Sequence, residues 1–264
     1  MILYFSGTGN SRHAAFSLAS DNEQVINITD CLRQSQFEFR IQENEPLGFV
    51  CPVYFGALPQ IVQEFARKVR FSSIPDFIYG VFTCGSFSFL CEEMLRDLLS
   101  ENGLKLDSAW EVRMVPNYVV MYEILSDEEQ NCILKDAELV LSEIRANIAE
   151  CHSNTIKVSD EHRRIAEEMA PIYREAVKTH KFWIDDTCIG CGTCAARCPV
   201  GAITMRDGYP SWNTSTCQHC MTCIRCGAVE YGATTHGRKR YTHPDLRKKK
   251  KHDHTTEACA AHPS

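Results

Sequence analysis

No stretch of this 264-residue chain approaches the roughly 20 consecutive apolar residues that a membrane helix needs. No Gly-Lys-Ser/Thr pair follows a glycine-rich turn, which excludes a nucleoside-triphosphate loop. The opening Met1-Ile2-Leu3-Tyr4-Phe5 has no cationic start and reaches a glycine turn after five residues, so it reads as a strand and not as an export signal. An excess of positive charge is also missing: the net charge of −6 argues against a general nucleic-acid binder. Cysteine, by contrast, is abundant at fifteen. The odd count, the chain length and the lack of an export signal exclude a secreted disulfide scaffold. Free thiols and metal-bound thiolates both suit a reducing compartment, and the expected location is the cytoplasm. With 44% hydrophobic residues the chain can build a packed core, and its length allows one large domain and one small one.

The first half alternates strand and helix signals. Apolar runs at residues 1–5, 25–28, 48–54, 77–83 and 109–115 are the strand candidates, and stretches with helical spacing separate them. Asn102-Gly103 marks a helix end. The pattern predicts a parallel sheet covered on both faces. A long helix follows, opened by the capping box Ser126-Asp-Glu-Glu129 and carrying Ile133, Leu134, Ala137, Val140, Leu141, Ile144 and Ile148 at helical spacing. Residues 151–159 are polar and linker-like. A second helix, about 160–178, presents Ile165, Met169, Ile172, Tyr173 and Val177 to a partner. The end of the chain, with Arg247-Lys-Lys-Lys-Lys251, has no sign of a core. It reads as a solvated tail, with His252, His254, His262 and Cys259 as bystanders.

Ser6-Gly7-Thr8-Gly9-Asn10-Ser11 lies between a strand and a helix, where unpaired N–H groups and the positive helix end favour an anion. Arg12 stands where the dinucleotide fingerprint wants its third glycine. A turn rich in hydroxyls and lacking lysine suits a dianionic monophosphate. The competing reading is an ordinary strand-to-helix turn.

The second half holds two cysteine runs. Cys188, Cys191, Cys194 and Cys198-Pro199 have the spacing of an iron–sulfur site; zinc sites usually separate their cysteine pairs widely. Cys217, Cys220 and Cys223 repeat the first three positions 29 residues later. The repeat then breaks. Cys226 follows after two residues where three are expected, and Gly227 replaces the proline. In the crossed arrangement of two-cluster ferredoxins, Cys198 joins Cys217, Cys220 and Cys223 around one 4Fe-4S cluster. The other would hold Cys188, Cys191 and Cys194, with Cys226 the only nearby candidate for its fourth ligand. Cys226 is expected to serve through an altered backbone. A labile, iron-depleted or absent first cluster is the alternative.

The glycine turn resembles the phosphate loop of flavodoxins, and two later turns continue the likeness. Pro52-Val53-Tyr54-Phe55-Gly56 corresponds to the loop beside the flavin ring, and Thr83-Cys84-Gly85-Ser86 to the second ring-contacting loop. The resemblance implies bound FMN, with Tyr54 stacked on the isoalloxazine and the backbone near Gly85 at its polar edge. Residues 114–118 follow the fifth strand and are expected to close the site. Over residues 1–245 the chain resembles flavodoxin–ferredoxin fusion proteins, including Arg240-Tyr241-Thr242-His243-Pro244 after the second cysteine run. This implies a flavodoxin-like doubly wound parallel five-stranded α/β sheet followed by a small α+β ferredoxin-like domain with two 4Fe-4S clusters. The expected units are an FMN domain at 1–151, a linker and connecting helix at 152–180, a 4Fe-4S domain at 181–246 and a tail at 247–264. The expected function is electron transfer between FMN and the clusters, as an electron carrier or oxidoreductase working with a ferredoxin or reductase. A redox-sensing module and a reductase of a quinone-like molecule are the rivals. No catalytic acid or base is expected; His13 and His219 read as satisfied or solvated histidines.

Overall fold

The computed structural model describes residues 1–213 and 216–247; most of the predicted tail lies outside them. Seven strands lie in the first half: β1 (Ile2–Tyr4), β2 (Val25–Asn27), β3 (Glu38–Phe39), β4 (Leu47–Pro52), β5 (Arg70–Phe71), β6 (Ile78–Cys84) and β7 (Ser108–Arg113). Five of them form one parallel sheet in the order β2-β1-β4-β6-β7, while β3 and β5 pair separately. Counting only the sheet strands, the order is second, first, third, fourth, fifth, which is the flavodoxin-like doubly wound arrangement. The direction of winding reverses between β1 and β4, so a crevice opens at their carboxyl ends.

Alternation along β1 shows why both faces must be covered. Leu3 and Phe5 enter one core with Phe49, Phe65 and Leu95, under α3 (Gln60–Lys68) and α4 (Cys91–Ser100). Ile2 and Tyr4 enter a second core with Ala14, Leu18, Tyr79 and Leu141, under α1 (Asn10–Leu18) and α5 (Asp127–Ala149). Each fully buried Leu or Phe in these cores contributes about 1.5–3 kcal/mol. The capping box of α5 forms as its sequence predicts, and Ala137, Leu141, Ile144 and Ile148 are its buried stripe, while Val140, expected on that face, is exposed at its edge. The short helix α2 (Ile28–Gln34) starts where Asn27 accepts from the Thr29 N–H.

The segment after α5 runs along the edge strand. The Ala109 N–H donates to the Asn154 carbonyl at 3.0 Å, and the Asn154 side chain returns a bond to Ala109. The α6 helix (Asp160–Ala176) then packs Tyr173 flat against Phe55. Ile172, expected on the packed face, is 54% exposed, because Ala166, Tyr173 and Ala176 form that face instead.

The remaining chain is a small α+β unit. β8 (Phe182–Ile184) pairs antiparallel with β11 (Val229–Tyr231), and β9 (Ile203–Arg206) forms a hairpin with β10 (Tyr209–Trp212). The hairpin turn, Asp207-Gly208, has positive φ at both residues, as a two-residue turn between twisted strands requires. A short helix, α7 (Thr193–Arg197), follows the first two cysteines and contains the third, Cys194, and α8 (Pro244–Arg247) ends the described chain. The core of this unit takes in Val119 from the loop after β7, which ties it to the sheet. No helix among the described residues is long and apolar enough to cross a membrane.

Candidate functional site

The three predicted flavin loops meet around one cavity of about 290 Å³ at the carboxyl end of the sheet. Ser6, Gly7, Thr8, Asn10 and Ser11 line it from the first loop, Pro52, Val53, Tyr54, Phe55 and Gly56 from the second, and Thr83, Cys84, Gly85 and Ser86 from the third. Gly9 does not. It sits at the start of α1 with φ +111°, and a Cβ there would strike His243 and Leu246. Val115, Pro116, Asn117 and Tyr118 close the cavity after β7.

Several polar groups of the first loop are engaged within the protein. The Asn10 amide donates to the Val115 carbonyl at 3.0 Å, and its oxygen accepts from the Tyr241 hydroxyl at 2.7 Å. Ser11 pairs with Thr83 at 2.7 Å, and Ser6 accepts from the Gly9 N–H at 3.1 Å. Asn10 therefore shapes the loop, with both ends of its amide engaged inside the protein. In the second loop, Tyr54 and Ala57 exchange two backbone bonds of 3.0 Å around Phe55 and Gly56, both at positive φ. Tyr54 stands edge-on to Phe5, and burial raises its hydroxyl well above the ordinary phenol pKa. Burial likewise pushes the Cys84 thiol up to about 12, so it stays protonated.

The cavity has a wall that sequence reasoning missed. His219, Cys220 and Met221, from the second cysteine run, line it together with Phe87, Phe89, Met121, Tyr122 and Met169. Phe87, Phe89, Met121 and Tyr122 follow sheet strands, which is a signal for position only; nothing in the sequence brings Met169 or His219 there. His219 is buried, takes a bond of 2.9 Å between Nδ1 and the Tyr118 hydroxyl, and is held down to about 4 by burial. Its Nε2 has no hydrogen-bond partner among the described residues. His13 lies away from the cavity, between Asp245 and Glu138 and stacked on His243.

The same stretch also walls a second, smaller void. Cys198, Cys217, Cys220 and Cys223 all line it, with Phe182, Ile203 and Trp212 as apolar neighbours. Burial raises the Cys223 thiol well above its ordinary pKa, and the thiols of Cys220, Cys217, Cys198 and Cys194 add to the rise. Burial pushes Cys217 up to about 12, with a smaller increment from Cys220. Backbone N–H groups already point at two of these sulfurs: Ala202 to Cys198 at 3.2 Å and His219 to Cys217 at 3.3 Å. Such bonds stabilise thiolate ligands and tune a bound cluster.

The start of the first run lies nearer solvent, with Cys188 half-buried and Cys191 exposed, and Cys226 at the end of the second run is exposed as well. Burial raises Cys194, and the nearby thiols of Cys226 and Cys188 add to the shift. The backbone explains how Cys226 comes close. Cys194 and Cys198 span four residues of α-helix and its cap, a rise of about 6 Å and slightly more than one turn. Cys223 and Cys226 span three residues of a 3₁₀ turn, again a rise of about 6 Å and one full turn. Tighter winding absorbs the missing residue. The two runs also share backbone shape: Gly190 and Gly192 have positive φ, and so do His219 and Met221, 29 residues on.

Residues 181–204 match the family described as 4Fe-4S binding domain. Comparison with curated proteins gave no match. Among solved structures, the chain is similar to the Trp repressor binding protein from Bacillus subtilis, with 12% identity, 54% of this chain and 96% of that one covered, and a TM-score of 0.35. It is similar to a Streptococcus pneumonia TIGR4 flavodoxin at 15% identity, 55% and 97% coverage and a TM-score of 0.31. It is also similar to an FMN-dependent NADH-azoreductase from Bacillus anthracis, at 9% identity, 56% and 98% coverage and a TM-score of 0.31.

Proposed function

We propose that the chain is an iron–sulfur flavoprotein that passes electrons between FMN and two 4Fe-4S clusters, in a reducing compartment such as the cytoplasm. The units are the flavin domain at 1–151, a connecting segment at 152–180 and the cluster domain at 181–246. The observation that carries this reading is that Cys220 and its neighbours His219 and Met221 line both the larger cavity and the four-thiol void. One loop of chain separates the two.

The residues fit both groups. The larger cavity has hydroxyls and a helix start at one end and Val53, Tyr54, Phe87 and Tyr118 on its other walls, which suits a phosphate joined to a planar ring. The smaller void offers four thiols, apolar cover and N–H donors to sulfur, as a cluster requires. FMN exchanges electrons singly or in pairs whereas each cluster passes one, so a chain holding both converts between the two modes. The protein binds, orients and excludes water. Cys188, Cys191, Cys194 and Cys226 would hold the outer cluster, whose exposed edge faces a redox partner such as a ferredoxin or reductase.

Iron, sulfide and flavin analysis of anaerobically purified protein tests this. One flavin and about eight irons per chain are expected. About four irons would remove the outer cluster from the scheme, and absence of flavin would overturn it. Cys198→Ala should block flavin reduction by reduced ferredoxin while flavin remains bound.

One observation favours a second reading, reduction of a small planar substrate. Phe87, Met121 and Tyr122 at the cavity rim are 45%, 64% and 42% exposed, an apolar border able to receive an aromatic ring. Turnover with a soluble quinone that survives loss of the outer cluster would support it.

A further inference from the structure

We propose that the iron–sulfur half holds the glycine turn in its phosphate-binding shape, with Thr222, Arg225 and Tyr241 as positioning residues for a flavin phosphate they do not touch. This rests on the FMN reading above. The turn at residues 6–11 binds an anion only if its N–H groups face the cavity. A trans peptide directs its C=O and N–H to opposite sides. Whatever holds a carbonyl on the far side of the turn therefore aims the next N–H at the ligand.

The Gly7 carbonyl accepts from the Thr222 hydroxyl at 2.9 Å and faces the Arg225 guanidinium at 3.4 Å. The N–H of that same peptide belongs to Thr8, which lines the cavity. The Thr8 carbonyl in turn accepts from the His243 N–H at 2.9 Å; the N–H of that peptide, Gly9's, is taken up by Ser6, so this bond fixes the turn without aiming an N–H at the cavity. Asn10, the first residue of α1, is fixed between the Val115 carbonyl and the Tyr241 hydroxyl. Every one of these donors to the turn comes from the iron–sulfur half. The half-buried guanidinium of Arg225, which stays ionised in proteins, also puts a positive charge behind a turn that has no lysine of its own. Flavin affinity is thereby coupled to correct seating of the second cysteine run.

The test uses full-length, flavin-free protein with intact clusters, titrated separately with FMN and with riboflavin, which lacks the phosphate, while flavin fluorescence is followed. Thr222→Val and Tyr241→Phe are each expected to weaken FMN binding roughly five-fold, the loss of one ordinary net hydrogen bond, with riboflavin affinity unchanged. Iron content is measured on each variant; Tyr241 lies outside the cysteine runs, so its variant keeps the question open to test if Thr222→Val loses metal. Equal loss for FMN and riboflavin, or no loss for either, overturns the positioning role while leaving flavin binding in place. Wild-type protein that binds FMN no better than riboflavin also overturns it. Wild-type protein that binds neither overturns the FMN reading, and this inference with it.

Discussion

A Cβ built on Gly7 would lie 2.1 Å from the carbonyl oxygen of Cys220, and 2.9 Å from both the Cys220 Cβ and the Tyr54 hydroxyl. The glycine turn and the second cysteine run are thus in backbone contact, with no room for a side chain between them. Gly7→Ala cannot be relieved by rotating a flexible neighbour, because the nearest atom is main chain. It is expected to cost about 2–3 kcal/mol by overpacking, read as a lower denaturant midpoint of the holoprotein, and to release flavin on dilution.

The Arg33 guanidinium, on α2, donates to the carbonyls of Ala196 at 3.0 Å and Cys198 at 2.6 Å, at the end of α7. It caps orphan carbonyls of that helix and fixes the residue that crosses to the buried thiol set. Arg33→Ala should speed the loss of visible absorbance under an iron chelator several-fold, from a destabilisation of about 1–2 kcal/mol. Arg33→Lys, which keeps the charge and can restore one bond, should fall between the two. Unchanged bleaching of the alanine variant would show that Cys198 needs no support from the sheet half.

Glu230, in β11, is buried within the small unit and accepts from Arg240 Nη2 at 2.7 Å and from the Thr235 hydroxyl. Glu230→Gln keeps the shape but leaves a guanidinium facing a neutral amide in a buried setting. Breaking a buried pair in this way costs about 3–5 kcal/mol. The expected result is early unfolding of the iron–sulfur unit, followed by the fluorescence of Trp183 and Trp212, before the sheet unfolds.

Cys226→Ala and Cys198→Ala should separate the two proposed metal sites. The first is expected to leave the buried cluster with about four irons and remove the outer one; the second should deplete the buried site. Iron analysis with low-temperature electron paramagnetic resonance checks this. Full occupancy in Cys226→Ala would mean that the outer site does not use this thiol.

Much of the fold was legible because its signals are local. The five sheet strands stand where apolar runs end in turns, and α5 begins at its capping box. What escaped notice was short or non-local. The seven residues of α2 hold a single apolar set, Ile28, Cys31 and Leu32, too short to stand out as a helix, and β3 and β5 are two residues each, so pairing across the chain had to create them. The place of Asn10 in a polar turn suited to an anion was visible, but its partners, Val115 and Tyr241, lie 105 and 231 residues away.

The cysteine spacing by itself determined the iron–sulfur character of the second half, since ligand geometry needs thiolates at those intervals within one loop. The glycine turn after a strand similarly placed residues 6–11 at the carboxyl end of the sheet, where most of them line the larger cavity. How near Cys226 comes to Cys194 was beyond sequence, because it depends on helix winding: three residues of 3₁₀ turn advance as far as four of α-helix. The wall shared by the two cavities was also beyond sequence. Residues 7 and 220 meet only because the small unit packs across the carboxyl ends of the sheet, a consequence of long-range burial and hydrogen bonding that no local pattern encodes.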